Sequence, residues 1–224
     1  MSLTPELGKG GHFSEVSHGL QGIEEAKICS IIRLIACGVF KPAIKLLRLE
    51  EKYPQLRVTF LPSNLHLYPH TLKKNLIGEI VSARKRNEQP LLLYGYCVPG
   101  IEEICTQYCA HKVSGLHCYE MLLGNDLYKE ILVKTAGTYF LEKELIVNFR
   151  EYCFEPLELY DSDIRESFFK HYKKLMYVRQ PSDPDLKIAA GKLAAFLNLS
   201  LEIRDADYSH LKKRLIHLIR SGID

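Results

Sequence analysis

Leu91-Leu92-Leu93-Tyr94-Gly95-Tyr96-Cys97-Val98-Pro99-Gly100 reads as a short buried strand that stops at a thiol. Pro90 precedes the apolar run and Pro99-Gly100 follows it, the punctuation of a buried strand. A helical pattern begins at once, from Ile101 to about Cys109. A strand, a cysteine, a turn and a helix in succession set sulfur at the carboxyl end of a strand, beside the positive end of a helix. In open α/β sheets that rim is where ligands bind.

The same alternation runs outward in both directions. Upstream, Ile31 to Cys37 is a near-continuous apolar run, ended by Gly38, which suits a strand covered on both faces. Pro42 opens a helix reaching about Tyr53, and Gln55 to Leu61 alternates as a second strand. Pro69 bars helix at Tyr68, so His66 and His70 are not a helical pair despite their spacing; His66 falls in the loop before a helix that reaches about Arg86. Downstream, a fourth strand is expected in Val113 to Leu123, with Cys118 inside it, then a helix over Leu127 to Lys134. Gly137 to Leu141 is a turn and short strand, and Glu142 to Phe154 and Ile164 to Tyr172 are helical. Strands over Lys174 to Val178 and Leu199 to Ile203 alternate with helices over Pro184 to Leu197 and Tyr208 to Ile219.

This pattern predicts an α/β fold: an open, mostly parallel sheet with helices on both faces, Rossmann-like in three layers. Residues 1–26 are polar and glycine-rich and read as a mobile arm; 27–224 read as one α/β domain with an insertion at 137–161. A hydrophobic fraction of 46% in 224 residues fills a sizeable core. The formal charge of +3, from 30 basic and 27 acidic residues, gives no argument for nucleic acid or membrane as partner. No apolar run approaches the roughly 20 residues that span a bilayer. Seven cysteines, without a signal pattern or secreted-domain spacing, read as reduced thiols in the cytoplasm.

Cys37, Cys97 and Cys118 each fall in or at the end of an expected strand, and His66 falls just after one. In a parallel sheet these four converge on one rim. Three thiols and an imidazole are a tetrahedral zinc set in type, and suit iron as well. Beside helix N-termini, Cys37 and Cys97 should have lowered pKa values. The competing account is plain packing, since cysteine is among the most buried residue types. His117 replaces Cys118 as ligand if the strand register shifts by one. Gly38, Gly95 and Gly100 either let backbone approach a ligand or only shape turns. Cys105 and Cys109 share a helix whose apolar stripe points to core packing. No dinucleotide, Walker or nucleophile-elbow pattern occurs.

Five stretches in order carry a family likeness: Ala36-Cys37-Gly38, Leu65-His66 with Pro69, Tyr94-Gly95-Tyr96-Cys97, Cys118 before Leu122-Leu123-Gly124, and Gly137-Thr138-Tyr139-Phe140-Leu141. Together they resemble the prokaryotic domain of unknown function 1638 family over roughly Ile31 to Ser200. The chain departs from that pattern at Val98, where the family often has glycine, and at Arg179-Gln180-Pro181. The resemblance implies an anaerobic one-carbon setting, in company with corrinoid methyl-transfer systems, and no settled activity. Two readings follow. In one, Cys37, His66, Cys97 and Cys118 bind zinc, iron or a metallocofactor, with Thr138 and Tyr139 at the mouth and a corrinoid methyltransferase system as partner. In the other, Cys37 and Cys97 serve a metal-free thiol-redox or thiol-transfer enzyme.

Overall fold

Ile31–Cys37 forms strand β1 at the centre of a four-stranded sheet. β1 pairs in parallel with β2 (Leu56–Leu61) on one side and β3 (Glu88–Leu93) on the other. β3 in turn carries the two-residue strand β4 (His111–Lys112), giving the order β2-β1-β3-β4. The computed structural model describes residues 31–222, so the arm expected over 1–26 lies outside the described residues. A second parallel sheet holds β5 (Thr138–Leu141), β6 (Lys174–Arg179) and β7 (Ser200–Asp205), in that order. The α/β class, the parallel pairing and the layered helices are those the sequence predicts; the strands divide between two sheets.

Side-chain alternation explains how the layers meet. Ile32, Leu34 and Ala36 of β1 and Leu91 and Leu93 of β3 enter one core, while Ile35 and Leu92 point into another. The second of these is closed by α3 (Pro69–Lys85), whose Leu72, Leu76 and Ile80 recur at helical spacing, and by α4 (Ile101–Tyr108). Pro69 opens α3 where its missing N–H costs nothing. The first core is shared between the sheets. Met176 and Val178 of β6 enter it, together with Leu211, Leu215 and Ile219 of the C-terminal helix Ser209–Ser221. On the far side of the second sheet, Leu175 and Tyr177 pack with Ala190 and Ala194 from the helix Lys187–Phe196.

The remaining helices are Lys41–Leu47 (α1) and Leu49–Lys52 (α2) after β1, Cys118–Leu123 (α5) and Asn125–Lys134 (α6) after β4, and Lys143–Val147 (α7) and Ser162–Phe169 (α8) after β5. The long helix expected from Glu142 to Phe154 is interrupted at Asn148 and ends in a π-helical turn over Arg150–Phe154.

One expected strand is corrected. Only His111 and Lys112 pair with β3; the rest of Val113 to Leu123 does not extend the sheet, and Cys118 opens α5. Tertiary contacts override the local pattern there. The Leu116 N–H donates to the Glu120 carboxylate at 2.5 Å, and Arg214 from the C-terminal helix donates to the same carboxylate at 2.6 Å. Residue 120 is therefore drawn back over residue 116, which an extended strand forbids. Within the first sheet, Arg33 grips Glu88 with two bonds of 2.9 Å, and Arg86 adds a third at 3.1 Å. These cations hold the Glu88 carboxyl down at about 2.

Candidate functional site

Four chain crossings meet above the carboxyl ends of β1, β2, β3 and β5. β1 ends at Cys37, opposite Leu61 of β2, and the chain then turns through Gly38–Phe40. β2 gives way at Pro62 to a 3-10 turn over Ser63–Leu67, which presents His66. β3 runs into Tyr94-Gly95-Tyr96-Cys97 before α4 starts. β5 ends at Leu141, and Glu142 follows as the cap of α7, its carboxylate accepting from the Glu144 and Leu145 N–H groups at 2.8 and 3.1 Å.

Between these crossings lies a cavity of about 280 Å³. Cys37, His66, Cys97 and Cys118 all line it, and so do His117 and Glu142. The sequence offered His117 and Cys118 as alternatives, since neighbours on a strand face opposite ways. Both reach the cavity because His117 is the last extended residue before α5 and Cys118 the first helical one. The rest of the wall is apolar or aromatic, chiefly Phe40, Leu93, Tyr94, Tyr119, Tyr128 and Leu145.

Gly95 has a definite steric reason. A Cβ there would sit 2.1 Å from the Leu116 carbonyl oxygen, whose backbone accepts from the Tyr96 N–H at 2.8 Å. The missing side chain admits the segment that delivers His117 and Cys118, so its close approach is chain on chain. A Cβ on Gly38 would meet the Leu61 and Ser63 backbone at 3.2 and 3.3 Å, again protein on protein. Gly100 caps α4 with φ +70°, and neither it nor Thr138 nor Tyr139 lines the cavity. The Thr138 hydroxyl donates to the Thr135 carbonyl, and Tyr139 stacks edge-on against Phe169 and Tyr172.

The electrostatics reverse the sequence expectation of acidic thiols. Burial pushes Cys37 up to about 12, although the N–H groups of Val39 and Gly38 pull the other way. Cys97 and Cys118 are raised by the same cause, Cys118 further by the neighbouring thiols and Glu142. The helix-end effect is present at Cys37 and is outweighed by desolvation. Burial also lifts the Glu142 carboxyl to about 7. One polar group stands apart: Tyr94 is 2% exposed, and its hydroxyl has no hydrogen-bond partner.

The six described cysteines are all free thiols. Among the described residues no three His, Cys, Asp or Glu side chains are grouped closely enough, as they stand, to hold a metal ion. The donors share a cavity without forming an assembled coordination sphere. His66 is nevertheless set as a ligand would be. Its Nδ1 lies 2.6 Å from the Ser63 carbonyl, which can only accept, so Nδ1 carries a proton and Nε2 is the nitrogen left to face a ligand. Cys105 packs against the α3–α4 core, as its stripe predicts, while Cys109 is an exposed left-handed residue ending α4.

Sequence reasoning missed Glu142 and Tyr94 as cavity residues. The available signal was position: each directly follows a strand, at the rim already singled out by Cys37.

The family described as "Protein of unknown function (DUF1638)" matches residues 60–215, which takes in His66, Cys97, Cys118 and Glu142. No curated protein and no solved structure matches the chain. Among the described residues no helix is long and apolar enough to cross a membrane.

Proposed function

The chain belongs to the DUF1638 family, and we propose, from the cavity's donor set, that it binds zinc, iron or a small metal-bearing cofactor. Cys37, Cys97, Cys118 and His66 are the ligands, with His117 as the alternative to Cys118. The observation that carries this reading is the meeting of three thiols and two imidazoles from separate stretches in one cavity. Sulfur and imidazole are the donors that zinc and iron select. His66 already has the outer hydrogen bond that orients a metal-bound ring.

Coordination requires the thiols and imidazole to draw closer together than they stand. It also requires the thiols to lose their protons. Burial keeps the unbound thiols neutral, and a bound cation supplies the positive charge that makes thiolates stable there. Binding then releases protons and strengthens as pH rises. The cavity far exceeds one ion, so a small exogenous molecule has room beside the bound metal. The unpartnered Tyr94 hydroxyl is a ready donor to that molecule. A corrin macrocycle is too large for 280 Å³; the corrinoid methyltransferase system enters as a partner protein on the family resemblance alone.

The metal-free thiol-transfer reading, with Cys37 and Cys97 as the pair, asks for an acidic thiol, and burial works against it at both positions. Anaerobic purification and elemental analysis test the proposal. Stoichiometric zinc or iron in the parent, lost in Cys97→Ser, is the expected result. A parent that stays metal-free after incubation with both ions overturns it.

A further inference from the structure

A second recess, of about 290 Å³, lies against the thiol cavity. Val39 and Glu142 belong to the walls of both. The two chambers are chemically opposed. The first is apolar, with thiols and tyrosines; the second is lined by Lys41, Lys45 and Lys143, with Gln180 at its edge. Its acidic groups cancel only part of that charge, leaving Lys41 and Lys45 against Glu142. Glu144 is paired with Lys143 at 3.1 Å, and Glu142 is turned into its capping bonds at the head of α7. Lys41 and Lys45 make no ion pair among the described residues. They stand four residues apart on α1, on one helical face, where like charges repel. An anion between them removes that repulsion. In the wall of the first chamber, the buried Tyr94 hydroxyl lacks a partner.

We infer that the two chambers are one binding site for a small organic anion, its acidic group held by Lys41 and Lys45 and its uncharged end lying in the thiol cavity beside Tyr94. The acidic group is a carboxylate, sulfonate or phosphate, and the inner end is a small apolar or aromatic group. Val39 is the step between the chambers. This deepens the proposed function by naming the class of exogenous ligand that shares the cavity with the metal, and it rests on that cavity being a ligand site.

Calorimetric titration at low ionic strength, with inorganic phosphate and phenyl phosphate as probes, tests the inference. Phenyl phosphate should bind at least about tenfold more tightly than phosphate, because burying its ring is worth more than the ~1.4 kcal/mol that tenfold represents. The double variant Lys41→Gln/Lys45→Gln should weaken both probes by about tenfold or more, the worth of a charge-assisted contact. Both lysines are exposed, so its melting temperature and metal content should match the parent. Benzoate and benzenesulfonate, titrated in parallel, rank the acidic group. Equal affinity for the two phosphates, no binding of either, or indifference to the lysine changes overturns the inference. Metal content is read separately: a metal-free protein that still prefers phenyl phosphate sinks the metal reading alone, and a metal-loaded protein blind to both probes sinks the anion site alone.

Discussion

Both rims leave a recess: at the carboxyl ends of β1 and β3 one lined by thiols and an unpartnered tyrosine hydroxyl, and at the carboxyl ends of β6 and β7 a polar one of about 560 Å³ whose side chains are bonded chiefly to one another. There Arg179 holds Asp205 with two bonds of 2.5 and 2.9 Å. The Asp183 carboxylate accepts from the Tyr177 hydroxyl and the Gln180 N–H, both at 2.9 Å. Gln180 donates across to the Val39 carbonyl at 3.1 Å and accepts from Tyr208 at 2.8 Å. One Asp183 oxygen alone lacks a partner. Both sheets are parallel, and both rims face the same kind of loops. The difference lies in saturation: one rim spends its donors on one another, and the other keeps a buried donor free.

The largest expected effect contrasts two glycines. Gly95→Ala drives a Cβ to 2.1 Å from the Leu116 oxygen, and Gly137→Ala does the same to the His171 oxygen beside the second sheet. Each should cost about 3 kcal/mol or more by overpacking against backbone, read as a loss in thermal or urea unfolding. Only Gly95→Ala should also lose metal uptake, because it displaces His117 and Cys118. Equal metal content in the two variants breaks the comparison.

Next comes Glu88→Gln, which leaves Arg33 without its carboxylate inside the first sheet and should cost about 3 kcal/mol in urea unfolding at pH 7. The parent should show the matching acid dependence. Glu88 titrates near 2 in the fold against 4.5 as its ordinary value, so its contribution is whole above about 4.5 and is lost as pH falls toward 2. A variant as stable as the parent would show the pair to be dispensable.

Glu142 has the opposite sign. Its folded value of about 7 lies above the ordinary 4.5, so between those values the folded protein binds more protons and stability falls as pH rises. Glu142→Gln should remove that fall and be more stable than the parent at pH 8 by on the order of 2 kcal/mol, less whatever the lost capping bond costs. Parallel stability–pH curves for parent and variant contradict the burial argument. The smallest effect is at the saturated rim. Arg179→Gln breaks an exposed pair and should cost under about 1 kcal/mol, with metal content untouched.

Much of this architecture was legible because local chemistry and tertiary context agree. Ile31–Cys37 reads as a doubly covered strand and is one, since both its faces meet apolar layers. Pro69 and the Leu72, Leu76, Ile80 spacing place α3 almost to the residue. The strand expected around Cys118 failed for a reason no window of sequence holds. Glu120 is bound by Arg214, 94 positions away, and that contact bends the segment into a helix. The division into two sheets was hidden likewise, because pairing partners are not written in hydrophobic periodicity.

The cavity was legible in membership and misread in charge. Cysteines at strand ends pointed to one rim, and Cys37, Cys97 and Cys118 meet there. Their pKa values depend on the walls contributed by Phe40, Tyr119 and Leu145, which only the fold brings round them. Helix ends can be read from a sequence, while desolvation needs the neighbours.

The central claim is that these separate sulfur atoms act together on one ion. Anaerobic titration with Co²⁺, followed by absorption spectroscopy, tests it most directly. Saturation at one equivalent, with thiolate-to-cobalt charge-transfer bands, tetrahedral visible bands and protons released to the buffer, is the result this account predicts. A spectrum that remains that of hexaaquo cobalt, with no charge-transfer band and no proton release, contradicts it.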